Sequence, residues 1–334
     1  MPTSNHLKSL SCQEVCVAIP APSLHLLTFV KGPRMLENPL RIAFFADTMW
    51  RIAAVVAVLL LWAVLQHKAK RKTRLVKVLT VCWLAPLLVL ALFAGGAVLF
   101  AILAVISGQA LSEYARLVSL ARPYAIVLQL SSVAGLLLAA FAYRQQLVLV
   151  AGAAFLAATL IPILTGSVAG AHQHVSCVLF GYFHVSLPLA VIMLSRQADS
   201  WGLQYLLIAG TATALADAGG FIAGSRLGGP KLAPRVSPNK TWAGAAGAVL
   251  GAAAGTALFW SISPVGWRWP MMIVLAGVVA VGAIWGDLIE SFVKRDFGHK
   301  DAGTILAGFG GVLDRFDSYF VAVPLSYLTV LLMT

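Results

Sequence analysis

Six of the chain's twelve carboxylates, Asp287, Glu290, Asp296, Asp301, Asp314 and Asp317, fall within residues 287–317. An even spread would put about one there, so this stretch has a specific demand for negative charge. In "GDLIESFVKR", Asp287, Glu290, Ser291 and Lys294 recur at i, i+3, i+4 and i+7, which makes them one polar stripe on an otherwise apolar helix. In "GGVLDRFDS", Asp314 and Asp317 are three apart and share a face if the last helix starts at Gly311. Crowded carboxylates repel, and in an apolar setting they are costly without a cation among them. Lys294, Arg295, Lys300 and Arg315 offer internal pairing. The alternative is a divalent metal held by oxygen ligands from two helix ends, as phosphoryl and nucleotidyl transfer require. The alternation of acids with bases favours the metal, because triphosphate chemistry uses both carboxylate-held Mg²⁺ and Lys or Arg on phosphate oxygens.

A second polar segment, "DAGGFIAGSRLGGPKLAPRVSPNKTWAG", runs from Asp217 to Gly244. Its glycines allow close backbone approach. Lys231, Ser237, Lys240 and Thr241 lie just before a helix start, a good place to grip phosphate oxygens. Arg226 alone reads as a contact to anionic headgroups.

The elements that must carry these residues are membrane helices. The chain has 334 residues, 60% hydrophobic and 11% charged, with mean hydropathy +0.89. That is more apolar surface than a soluble core of this size hides. Apolar runs fall near Trp50–Gln66, Val78–Phe93, Gly96–Leu111, Tyr124–Tyr143, Leu147–Leu164, Val175–Leu194, Trp201–Ile222, Trp242–Ser263, Trp269–Phe292 and Ser318–Met333. The expected fold is an all-α, polytopic integral membrane protein of about ten transmembrane helices, with a break at Gly95–Gly96. Residues 1–48 read as a weakly ordered or peripheral extension whose first 34 residues could precede the functional start. Residues 49–200 read as the N-terminal helices, and 201–334 as a catalytic region with loops 223–241 and 293–316.

The net charge of +12 follows topology rather than a nucleic-acid surface. Loops 67–77, 112–123, 165–174, 223–241 and 293–316 hold 16 of the 24 basic residues, while the opposite side between spans holds Arg144, Arg196 and Arg268. This bias places both polar segments at the cytoplasmic face of a plasma or inner membrane. Cys12, Cys16, Cys82 and Cys177 form no zinc or disulfide pattern. Gly247, Gly251 and Gly255 line one helix face and indicate close helix packing. His172 and His174 read as solvated, and His184 as a hydrogen-bonded interface residue. Trp201, Trp242, Trp267 and Trp269 read as an aromatic belt.

The two polar segments together resemble the phosphatidate cytidylyltransferases (CDP-diacylglycerol synthases). Ser291, Lys294, Arg295, Lys300, Asp301, Gly303, Gly310, Gly311, Asp314, Arg315 and Asp317 fall in register with that family's S-x-x-K-R-x4-K-D and D-R-x-D signature. Asp217, Gly224, Lys231, Leu232, Pro234, Ser237, Pro238, Lys240, Thr241 and Trp242 match its second loop, and Glu113 in "LSEYARL" extends the likeness. The match departs at Ala307 and Phe309, where the family has P-G-H-G-G, and at Ala243, where it has Glu. The resemblance implies transfer of a cytidylyl group from CTP to phosphatidate, in a membrane and as a homodimer. By the same reading Asp287, Asp314 and Asp317 hold Mg²⁺, while Lys240, Lys294, Arg295 and Arg315 cradle phosphates. Ser291 and Ser237 add hydrogen bonds, and Asp217, Lys231, Thr241, Lys300 and Asp301 contribute to substrate binding. Glu290 stands behind them, since it can pair with a neighbouring base. Three other readings are a CTP-dependent transferase acting on another lipid phosphate, a cation-coupled transporter, and a catalytically silent partner.

Overall fold

The computed structural model describes residues 36–65, 86–198, 201–299 and 311–333. A 3₁₀ turn, Pro39–Arg41, precedes α1 (Phe45–Leu65). Residues 86–94 form the described part of α2, followed by α3 (Gly96–Leu117), α4 (Arg122–Ala140) and α5 (Gln146–Thr165). Helices α6 (Ala171–Gly181) and α7 (Leu187–Arg196) are one rod joined by a π turn, Tyr182–Ser186. Next come α8 (Gly202–Leu227), an antiparallel hairpin of β1 (Lys231–Ala233) and β2 (Ser237–Thr241), then α9 (Trp242–Leu258), α10 (Trp269–Asp296) and α11 (Leu313–Met333). Among the described residues seven helices are long and apolar enough to cross a membrane: α3, α4, α5, the α6–α7 rod, α8, α10 and α11. Helix α9, with 17 residues, is shorter. The protein is therefore an all-α polytopic membrane protein, with one small hairpin that hydropathy alone did not foreshadow.

The expected break between the second and third runs lies at Gly95, whose φ of 105° is open to glycine but strained for other residues. The glycine ladder acts as its spacing suggests. A Cβ on Gly251 would strike the carbonyl of Leu215, and one on Gly255 would strike Ala212, so α8 and α9 lie backbone against backbone. On α10, Gly282 and Gly286 face Ala322 and the Asp317 carbonyl of α11 in the same way. These two close pairs bring α8, α9, α10 and α11 together, and the polar segments sit at one end of them.

Residues 36–48, the described part of the segment expected to be weakly ordered or peripheral, are tied to the bundle by polar contacts. Arg196 ends α7 almost fully buried and needs a counter-ion. It donates to Glu37 at 2.8 Å and to the Leu92 carbonyl at 2.8 Å, while the Glu37 N–H reaches the Ala94 carbonyl. Arg51 of α1 donates to the Leu258 carbonyl at the end of α9 and to Ser261 at 2.7 Å, where a cation offsets the exposed carbonyl ends of the helix. Trp242 and Trp269 are exposed as a belt would have them, but Trp201 packs on Tyr205, Tyr327 and the buried Trp267. The expected hydrogen bond of His184 is missing at Nε2: the buried ring lies between Phe180 and Phe320, and Nε2 has no partner among the described residues. His174 stacks on Tyr124.

Candidate active site

The site forms where α8, α10 and α11 meet the hairpin. Asp287 is on α10, one residue past Gly286, so the close approach of α11 brings Asp317 up to it. Lys240 of β2 reaches Asp287 at 2.6 Å, and Ser291, one turn along α10, donates to its other oxygen at 3.3 Å. Asp217 of α8 accepts the Ser318 hydroxyl at 2.8 Å, and the Ser318 N–H folds back onto Asp317 at 2.7 Å. Asp217, Asp287 and Asp317, from three helices, stand within electrostatic range of one another, with Lys240 and Arg315 as nearby positive charges. Asp217, expected from the resemblance to contribute to substrate binding, is therefore one of the three clustered acids.

One turn nearer the bundle end is a second group. Lys294 bridges two carboxylates, at 3.0 Å to Glu290 and 2.7 Å to Asp314. The second Asp314 oxygen accepts the Gly311 N–H at 2.8 Å, ahead of the first turn of α11. Asp314 and Asp317 both face α10, as their spacing predicts, but Asp314 is engaged by Lys294 while Asp317 lies with Asp287 and Asp217. Glu290 is paired with the neighbouring base, and it is almost fully buried.

Glu113 enters from α3, 200 residues away in sequence. It is fully buried, accepts the Leu313 N–H at 2.9 Å and is steadied by Gln109 at 2.9 Å. A carboxylate at this point satisfies an otherwise unpaired N–H and complements the positive end of α11. Gly311 leaves the room for it, since a Cβ there would run into the Glu113 carboxylate. In the sequence, Glu113 stood out only through the likeness of "LSEYARL" to the family, with no role attached to it.

The remaining predicted residues are spread around this centre. Thr241 is buried and caps α9, its hydroxyl accepting the Gly244 N–H at 3.1 Å. Lys231 pairs in register with Thr241 on the hairpin and is exposed, and Ser237 is half-buried on β2. Arg295 is exposed in the last turn of α10. Lys300, Asp301, Ala307, Phe309 and the basic loop 67–77 lie outside the described residues.

The donor set has the chemistry of a hard-cation site: carboxylate oxygens from three helices, close enough to repel without positive charge among them. Among the described residues no three His, Cys, Asp or Glu side chains form a ready coordination shell; Asp287 and Asp314 each face a lysine.

The sequence itself is similar to that of known proteins. Over 150 residues the chain is 41% identical to a phosphatidate cytidylyltransferase of Brucella suis, covering 44% of this chain and 54% of that protein. It is 35% identical over 139 residues to the one of Bacillus subtilis, covering 42% and 52%, and 38% identical over 137 residues to one of Staphylococcus epidermidis, covering 41% and 52%. The chain thus spans about half the length of the curated relatives it matches. The sequence profile of the cytidylyltransferase family matches residues 75–333, a stretch that holds every described carboxylate and lysine of the site, and the chain belongs to that family.

Proposed function

We propose that the protein is a phosphatidate cytidylyltransferase, converting CTP and phosphatidate to CDP-diacylglycerol and diphosphate. The observation that carries this reading is the convergence of Asp217, Asp287 and Asp317 from three helices beside Lys240, with the Lys294–Asp314 pair one turn away. A phosphate oxygen of phosphatidate attacks the α-phosphorus of CTP, forming the new P–O bond as the bond to the β-phosphate oxygen breaks and diphosphate leaves. The attacking phosphate is already anionic at neutral pH, so no general base is needed, and positioning with charge neutralisation carries the rate.

In this reading Asp287, Asp314 and Asp317 hold Mg²⁺, and Asp217 joins them because it lies against Asp317 and Asp287. Bound Mg²⁺ would supply charge neutralisation on the phosphate oxygens. Lys240 and Lys294 hold their carboxylates in place before substrate arrives, and their ammonium groups are then available to phosphate. Arg295 and Arg315 add positive charge, Ser237 and Ser291 add hydrogen bonds, and Lys231, Lys300 and Asp301 border the substrates. Thr241 contributes by fixing the start of α9 directly after Lys240. The site faces the cytoplasm of a plasma or inner membrane, and two copies form a homodimer.

The test is transfer of label from α-³²P-CTP to the lipid phase by detergent-purified protein with Mg²⁺ and phosphatidate, beside Asp287→Asn. Label that falls at least a hundredfold in the variant, with an unchanged melting temperature, supports the reading. Absence of label with folded parent protein, against a panel that includes polyprenyl phosphates, overturns phosphatidate as the substrate.

A further inference from the structure

The same turn of α3 that sends Glu113 inward sends Ser112 and Arg116 outward. There they meet the start of α4 in a groove of about 380 Å³ lined by Ser112, Arg116, Arg122, Ile126, Gln129 and Leu130, among others. Both arginines are exposed, and among the described residues neither has a carboxylate within ion-pair distance. The groove lining is mostly apolar, and its one amide is already ordered: Gln129 donates to the Gly108 carbonyl at 3.1 Å and to Ser112 at 3.3 Å. Below the arginines, Ile126, Leu130, Val133 and Leu137 are exposed at i, i+4, i+7 and i+11, a continuous apolar stripe down α4. At 1.5 Å per residue the stripe runs about 16 Å. One leaflet of the hydrocarbon core is about 15 Å deep.

Two guanidinium groups at the head of an apolar track one leaflet long match the form of an anionic phospholipid, with phosphate between the arginines and an acyl chain along the stripe. Arginine suits this because its planar fork can give two parallel hydrogen bonds to a phosphate. We propose that the α3–α4 groove is a binding site for the phosphate of an anionic membrane lipid, separate from the carboxylate cluster. The proposal rests on the membrane-spanning fold and not on the transferase reading. Because Ser112, Glu113 and Arg116 share one turn of α3, a lipid held there bears on the helix that anchors α11.

The test is native mass spectrometry of the full chain in detergent, without nucleotide or Mg²⁺, titrated with phosphatidate, phosphatidylglycerol or phosphatidylcholine. The parent should retain one more anionic lipid than the Arg116→Gln/Arg122→Gln variant, whose affinity for that lipid drops about thirtyfold, the loss of two interfacial cations. Arg268→Gln, an exposed arginine at the opposite end of the bundle, should bind like the parent. Preference for phosphatidate over phosphatidylglycerol would identify the phosphate monoester as the ligand, and equal binding would identify any anionic phospholipid. Retention of the extra lipid by the double variant, or equal retention of phosphatidylcholine by the parent, would overturn the proposal.

Discussion

Glu113 shows how one residue far from the signature acts on the site. Its carboxylate accepts the Leu313 N–H on the turn that presents Asp314, and the missing side chain of Gly311 makes the room. Glu113→Ala leaves a buried N–H unpaired, a loss of about 1–3 kcal/mol. Gly311→Ala is also expected to destabilise, because its Cβ meets the carboxylate. The two costs are not independent. In the Glu113→Ala background the methyl added by Gly311→Ala enters vacated space, so the double variant should be less destabilised than the sum of the singles by about 1 kcal/mol. Unfolding midpoints of the four proteins in one detergent check this, and strict additivity would refute the contact. The carboxylates of the signature were legible in sequence because their number and spacing are abnormal for a membrane chain. Glu113 was harder to read, because an isolated acid carries no spacing and its partner lies 200 residues away.

At the scale of the elements, the site depends on small residues that touch no reacting group. Lys240 ends the hairpin that leads into α9, and Asp217 rides on α8, so the separation of α8 from α9 sets where the lysine stands relative to the carboxylates. Gly251→Leu forces that pair apart against the Leu215 carbonyl and should lower both the melting temperature and transferase activity, the latter by at least tenfold. Gly210→Ala on α8, where a Cβ meets nothing within 4 Å, is the matched control and should be neutral or stabilising by about 0.5–1 kcal/mol. Equal effects at the two positions would contradict the packing argument. The helices and the glycine ladder were legible because a membrane forces long apolar runs and small interfacial residues. The β1–β2 hairpin was not: eleven residues from 231 to 241 with two prolines and alternating polarity read as loop, and only the pairing of Lys231 with Thr241 and Ala233 with Ser237 makes them strands. The docking of residues 36–48 was likewise hidden, because the ion pair of Glu37 with Arg196 joins two segments whose charges look ordinary separately.

For the whole molecule the open property is orientation, and charge argues it. The ends of α3, α8 and α10 and the starts of α4 and α11 gather at one end of the bundle, which carries the hairpin, the site and the arginine groove. The opposite end carries the turn 259–268 and the buried Arg196 pair. Basic residues are concentrated in the loops of the first end, so the positive-inside rule predicts that this end lies on the cytoplasmic side, as the proposed use of CTP requires. In a variant whose four native cysteines are replaced by alanine, Arg235→Cys at the hairpin turn and Val265→Cys at the opposite turn report the two ends, both positions being exposed. In intact cells a membrane-impermeant maleimide should label the thiol introduced at position 265 and spare the one at position 235, and opening the cells should expose the latter. The reverse pattern would place the carboxylate cluster on the side without nucleotide. That would leave the bundle and its family membership untouched, while removing CTP as the substrate of this end of the molecule.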